Sequence, residues 1–158
     1  LSSYMSNFIA TFFYVGYMRP APGTWGSLVA LIAGYLLITY TGPYGLIISI
    51  FICVFLGYWA TGEHTYDKDE HDPSEIVIDE VAGQWIALLP IALVHLSGVT
   101  QALIYLLAFV GFRIFDITKL GLVGWADRQD GPLGVMLDDI IAGMMTAIIV
   151  FAVIWSLA

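Results

Sequence analysis

Residues 20–62 form a run of 43 positions without one charged side chain. A helix crossing a hydrocarbon core of ~30 Å needs about 20 residues, so this run is long enough for two crossings and a reversal. The reversal is written as Thr41-Gly42-Pro43-Tyr44-Gly45, where glycine and proline interrupt the apolar pattern. Helices at about 24–40 and 44–62 follow from it. A second uncharged run, 81–112, is broken at Leu96-Ser97-Gly98-Val99-Thr100 and predicts helices at about 79–96 and 100–118. A third, 140–158, predicts one more. At the N-terminus, Ser2, Ser3, Ser6 and Asn7 precede an apolar stretch over 8–18. That stretch is too short for an ordinary crossing, so residues 3–18 are expected to form an interfacial or re-entrant helix. No basic start or small-residue cleavage site marks it as a signal peptide, and the chain opens on Leu1 rather than Met. The expected fold is all-α: a polytopic membrane helical bundle of about five transmembrane helices plus the N-terminal helix, one domain over 1–158.

Composition agrees with a bilayer environment and narrows the function. Charged residues make up 11% of the chain, against ~25% in soluble domains. Thirteen acidic and five basic residues give a net charge of −8, which speaks against a nucleic-acid partner, since neutralising phosphates takes a basic face. One cysteine permits neither an intramolecular disulfide nor a multi-cysteine metal site.

Following the five crossings alternately from one side to the other puts every charged residue on the same side. Arg19, the 63–80 segment and the 113–139 segment all fall there, and the opposite loops carry no charge. Because short loops rich in Lys and Arg stay in the cytoplasm, that side is expected to be cytoplasmic. Crowded carboxylates repel one another unless cations intervene. Five basic residues cannot balance thirteen acids, so a hard divalent cation such as Mg²⁺, which favours oxygen ligands, is the expected complement.

The acids concentrate at two helix mouths. Asp72-Pro-Ser-Glu75-Ile-Val-Ile-Asp79-Glu80-Val-Ala-Gly83 precedes the third crossing, and Val135-Met-Leu-Asp138-Asp139-Ile-Ile-Ala-Gly143 precedes the fifth. Each reads as an apolar triplet, an acidic pair and Ala-Gly. Small residues allow close helix approach, which would bring the pairs together as a cage for one or two ions. Helix capping is the simpler reading of any one of these acids. Arg113, Asp116 and Lys119, spaced by three, form a stripe at the end of the fourth crossing. They read either as a phosphate clamp or as basic side chains snorkelling to the headgroups. At the mouth of the first crossing, Ala21-Pro-Gly-Thr24-Trp-Gly-Ser27 could present backbone N–H groups and two hydroxyls to a phosphate. His64 and His71 are possible proton shuttles; His95 and Cys53 read as packing residues.

Together Ala21-Pro-Gly-Thr-Trp-Gly-Ser-Leu28, the Asp72-Pro…Asp79-Glu80-Val-Ala-Gly83 block, Phe112-Arg113-Ile-Phe-Asp116-Ile-Thr-Lys119 and Gly134-Val-Met-Leu-Asp138-Asp139-Ile-Ile-Ala-Gly143 resemble the bacterial phosphatidylglycerophosphatase A family, in order and from about residue 15 to 150. The family usually has Pro after the lysine and a second glycine after the one at 131; Leu120 and Pro132 stand there instead. The resemblance implies a Mg²⁺-dependent inner-membrane lipid phosphatase that converts phosphatidylglycerophosphate to phosphatidylglycerol. Read with the residues above, it gives Asp79, Glu80, Asp138 and Asp139 as metal ligands. Arg113, Lys119, Thr24 and Ser27 become phosphate-binding residues. Asp72, Asp79, Glu80, Asp116 and Asp139 become catalytic carboxylates, with Asp72 or Asp116 as general base. Direct attack by water and a covalent aspartyl-phosphate both remain open. A divalent-cation transporter is the alternative from another class, but it would need ionisable groups near the midplane. A non-catalytic membrane subunit would leave the one-sided acids unexplained.

Overall fold

The computed structural model describes residues 2–70 and 72–158, and among these every regular element is helical. The elements are α1 (Ser2–Ala10), α2 (Pro22–Thr65), α3 (Ile78–Ala87), α4 (Leu89–Ala92), α5 (Gly98–Thr118), α6 (Leu122–Asp127) and α7 (Gly131–Leu157), with a 3₁₀ turn at Val15–Tyr17. Of these, α2, α5 and α7 are long and apolar enough to cross a membrane. Their outward side chains include Ile32, Phe51, Phe55, Leu103, Ile148 and Phe151, all exposed. An exterior of large apolar groups is what a helical bundle shows to lipid.

The 44 residues of α2 are not one rod. Gly42 leaves the helical conformation at φ 69°, ψ −165°, and Pro43 follows it. Positive φ costs glycine little, and proline withholds the N–H that would continue the ladder. The two arms, 22–41 and 43–65, run in opposite directions along α3. In the first arm, Gly26 faces Val77 and Gly34 faces Leu88, while Trp85 Nε1 donates to the Ala30 carbonyl at 2.8 Å. In the second, Gly57 faces Ile78, and Ser49 lines a groove with Trp85. The Gly-Pro reversal read in the sequence is therefore present.

Helix α3 occupies the centre of the bundle, and of its ten residues only Glu80 is not fully buried. A helix that is apolar on nearly every side belongs in such a position. It is much shorter than the predicted 79–96 helix because Pro90 cannot donate to the 86 carbonyl. The chain turns at Leu88, whose N–H donates to Trp85, and resumes as α4 with Pro90 in its first turn. At the N-terminus the expected 3–18 helix stops at Ala10, and Phe12, Phe13 and Tyr14 adopt positive φ. Helix α7 begins at Gly131, well before the uncharged run, so Asp138 and Asp139 lie inside a helix rather than at its mouth. Proline in its first turn suits a helix start, and the buried acids are tolerated because they face the bundle interior.

The tightest crossing is between α3 and α7. A Cβ at Gly143 would overlap the Gly83 carbonyl, and one at Gly83 would meet the Asp139 carbonyl and the Phe112 ring. Small residues thus place one acidic pair directly against the other. Gly62, by contrast, has only Pro132 near it, 3.6 Å from an added Cβ. We predict that Gly143→Ala lowers stability by ~1–3 kcal/mol, the cost of overpacking. Gly62→Ala should be neutral or stabilising, because alanine favours a helix by ~1 kcal/mol. Thermal unfolding of the two variants beside wild type checks this; equal behaviour would show that the α3–α7 approach is slack.

Candidate active site

The α3–α7 crossing and the end of α5 collect five carboxylates: Asp79, Glu80, Asp116, Asp138 and Asp139. Asp79 and Glu80 stand in the first turn of α3, whose entry is fixed by the Val77 N–H donating to the Ala10 carbonyl at 3.0 Å. Asp138 and Asp139 come from α7 and Asp116 from the end of α5. Ligand oxygens of Asp79, Glu80 and Asp139 lie within 4.8 Å of one another, as do those of Asp116, Asp138 and Asp139. Asp79 Oδ1, Glu80 Oε2 and Asp139 Oδ1 are buried without a hydrogen-bond partner. Unpaired buried carboxylate oxygens are costly, so they are suited to a cation that binds oxygen.

Two cations edge the cluster. Arg113 Nη1 pairs with Asp116 Oδ2. Lys119 Nζ reaches Asp138 Oδ2 at 2.5 Å, Asp116 Oδ1 at 3.1 Å and Asp127 Oδ1 at 3.6 Å. Lys119 caps α5 in the left-handed conformation, φ 53°, with its N–H donating to the Phe115 carbonyl at 3.0 Å. Burial alone would depress the ammonium, but Asp116 and then Asp138 raise it, so Lys119 stays charged. Asp72 lies at the exposed rim in the 66–77 loop. Protein packed against its inner side and then the charge of Asp79 push its carboxyl up to about 7, against the opposing pull of Lys119.

The start of α2 closes the site. A Cβ on Gly23 would stand 2.8 Å from Glu80 Oε1 and 3.2 Å from both terminal nitrogens of Arg113, so the absence of a side chain makes room for these two groups to converge. Thr24 lies with Val110, Arg113, Ile114 and Ile117 along a largely apolar groove between α2 and α5. Ser27 is fully buried and donates its hydroxyl to the Gly23 carbonyl at 2.9 Å. Its hydroxyl is thus directed to the backbone, whereas Thr24 faces the groove.

The structure brings Asp79, Glu80, Asp116, Asp138, Asp139, Arg113 and Lys119 into one cluster. His64 joins a separate group, where its Nε2 lies 3.1 Å from Glu75 Oε1 and 2.9 Å from Lys68 Nζ, and Lys68 Nζ donates to Glu75 Oε1 at 3.0 Å. His71 lies outside the described residues. His95 is at the opposite end of the bundle, beside Thr39 and Gln101, and Cys53 is buried with its thiol directed to the Ile78 carbonyl. Two neighbours escaped the sequence reading. Asp127 gives no local signal, because only the fold of α6 brings it to Lys119. Gln84, fully buried one turn after Glu80, donates Nε2 to the Ala108 carbonyl at 3.3 Å and leaves Oε1 unpaired. An amide inside an otherwise apolar run was its available signal.

The family described as phosphatidylglycerophosphatase A matches the chain over residues 8–154. A Haemophilus influenzae protein named phosphatidylglycerophosphatase A is 35% identical over 146 residues, covering 92% of this chain and 86% of that protein. An Escherichia coli protein of the same name is 34% identical over 90% of this chain and 80% of its own length. A Bacteroides thetaiotaomicron protein described as a candidate phosphatidylinositol-3-phosphatase is 34% identical, covering 97% of this chain and 96% of its own length. No solved structure matches the chain.

The Glu75 group gives a pH test independent of the cluster. Burial alone would raise the Glu75 carboxyl, but hydrogen bonds from Lys68 and His64 bring it from 4.5 down to about 2. A depressed folded-state pKa adds stability above the unfolded value and loses it as pH falls through the folded value. Glu75→Gln should therefore unfold at lower temperature than wild type at pH 7. The gap should shrink below pH 4.5 and close near pH 2; a gap constant over that window would show that Glu75 acts by packing alone.

Proposed function

The chain belongs to the phosphatidylglycerophosphatase A family, and from that premise we propose that it is a Mg²⁺-dependent lipid phosphatase of the bacterial inner membrane. It hydrolyses phosphatidylglycerophosphate to phosphatidylglycerol and phosphate. The observation that carries this reading is the meeting of two unlike surfaces at Arg113. On one side are carboxylates with unpaired buried oxygens; on the other is the apolar α2–α5 groove. A lipid phosphomonoester combines an apolar tail with a dianionic head, and this junction offers a complement to each.

Asp79, Glu80 and Asp139 would hold the cation, since their oxygens converge and lack other partners. A bound Mg²⁺ supplies positive charge to the phosphoryl oxygens. The chain's own groups do the rest. Val110, Ile114 and Ile117 receive the apolar part of the lipid, and Thr24 meets its polar end. Arg113 offers a fork of donors to the phosphoryl oxygens, and Lys119 a point charge. Ser27 acts from behind by holding the Gly23 carbonyl, which keeps the α2 start in place. Both oxygens of Asp116 are engaged by Arg113 and Lys119, so Asp72 at the rim is the carboxylate free to take the proton of the attacking water. That proton then goes to the leaving glycerol oxygen.

Five membrane crossings are consistent with the two arms of α2, the α3–α4 segment, α5 and α7. Residues 23, 62, 80, 113 and 132 then share one end of the bundle, where Gly23 adjoins Glu80 and Arg113 and Gly62 adjoins Pro132. All five basic residues lie in segments reaching that end, which favours a site facing the cytoplasm. A cation pathway is the weaker reading, because residues 85–112 and 140–158 carry no charged side chain toward the other end.

Purified protein should release phosphate from phosphatidylglycerophosphate in mixed micelles, lose that activity in chelator and regain it with Mg²⁺. Asp79→Asn should lose ~10²-fold or more in turnover, the scale for removing an electrostatic catalytic group. Release unaffected by chelator, near-normal turnover in Asp79→Asn, or a preference for phosphatidylinositol 3-phosphate offered in parallel would each contradict the proposal.

A further inference from the structure

The carboxylate cluster has two lobes that share Asp139 and are compensated in different ways. In the Asp79–Glu80–Asp139 lobe, each residue keeps one buried oxygen without a partner, and Asp79 and Asp139 are 5% and 1% exposed. In the Asp116–Asp138–Asp139 lobe, every oxygen of Asp116 and Asp138 is engaged. Asp116 receives Arg113 on Oδ2 and Lys119 on Oδ1 at 3.1 Å. Asp138 receives Lys119 on Oδ2 at 2.5 Å and the Asp139 backbone N–H on Oδ1 at 2.9 Å. In both lobes the ligand oxygens lie within 4.8 Å of one another, so proximity alone would allow an ion in each. Charge separates them: an ammonium in contact with two carboxylates repels a divalent ion from the same oxygens.

We infer that the cluster is a mononuclear site with a built-in second cation. One divalent ion belongs to Asp79, Glu80 and Asp139, and the Lys119 ammonium stands where a second ion would meet Asp116 and Asp138. Asp138 is on this account an anchor for Lys119 and not a metal ligand, which revises the expectation from sequence. The fold supports the lysine in that place. Its backbone is set by the left-handed cap of α5, and Asp127 of α6 approaches the same ammonium at 3.6 Å. The inference rests on reading the cluster as the cation site of the proposed phosphatase, but its test counts ions rather than turnovers.

Full-length protein in detergent, stripped with chelator, is titrated with Mn²⁺ and the bound ions are counted by electron paramagnetic resonance. Wild type should bind one Mn²⁺ per chain. Asp79→Asn and Asp139→Asn should weaken that site ~10-fold or more, the low end for disturbing a metal's surroundings, while Asp138→Asn keeps the wild-type affinity. Lys119→Gln vacates the second lobe and should bind a second ion, whose proximity broadens the spectrum; Lys119→Arg should stay at one. Two ions in wild type, a single ion in folded Lys119→Gln, or a site lost in Asp138→Asn but kept in Asp79→Asn would overturn the assignment. Should Lys119→Gln fail to fold, the comparison of Asp138→Asn with Asp79→Asn decides alone. Phosphate release by the same wild-type preparation separates the failures: hydrolysis with two ions removes only the lysine assignment, and one ion without hydrolysis removes only the proposed function.

Discussion

Five carboxylates drawn together inside an apolar bundle are the constraint on which the rest of this structure depends. Taking even one carboxylate out of water costs several kcal/mol unless it is paired. Here Arg113 and Lys119 face Asp79, Glu80, Asp116, Asp138 and Asp139, and three oxygens remain without partners. The α3–α7 glycine crossing forces the convergence, because Gly83 and Gly143 allow the backbones to approach until the acidic pairs share one space. A fold selected for stability alone would separate these groups or replace them. Their retention is the physical argument for proposing a bound cation, and an arginine between those carboxylates and an apolar groove is the argument for proposing phosphate chemistry on a lipid.

The bundle serves that site by dividing its residues sharply. Apolar side chains cover the outside, α3 is sheathed on all sides, and five carboxylates and two cations gather where α3, α5 and α7 meet. The α2 hairpin contributes twice. Its first arm starts at Gly23, against Glu80 and Arg113, and its second arm packs Gly57 against Met136 and Ile78. Both acid-bearing helices are thereby in contact with the α2 hairpin. Capping explains neither acidic pair, since α3 has no side-chain cap hydrogen bond and Asp138 and Asp139 lie well past the start of α7. That removes the simplest structural reason for the acids.

Much of this was legible from local chemistry. Gly42-Pro43 announces its own reversal, and Ala-Gly after each acidic pair announces the close crossing. The helix limits were less legible where charge was taken as the boundary. Asp138 and Asp139 lie well inside α7 because a buried carboxylate that faces the bundle interior need not end a helix. Pro90 within an apolar run shortened the third helix, and the early aromatic residues left the helical conformation after Ala10. Partner choice was the least legible level. The spacing of three suggests Asp116 as a neighbour of Lys119, but nothing in it indicates that Lys119 also reaches Asp138 and Asp127, and nothing near Ser27 indicates that its hydroxyl goes to the Gly23 carbonyl. Those are choices made by tertiary packing.

If uncompensated buried charge is what the site is built around, a cation should stabilise the protein, and removing one acid should relieve it. The most direct measurement is thermal unfolding of metal-stripped protein against Mg²⁺ concentration, for wild type and Asp139→Asn. Binding to the folded state alone adds ~2.7 kcal/mol at one hundred times the dissociation constant, so the wild-type midpoint should climb with Mg²⁺. Asp139→Asn should match or exceed wild type without metal and show little further rise. A wild-type midpoint indifferent to Mg²⁺, or an Asp139→Asn variant that climbs just as steeply, would contradict the account.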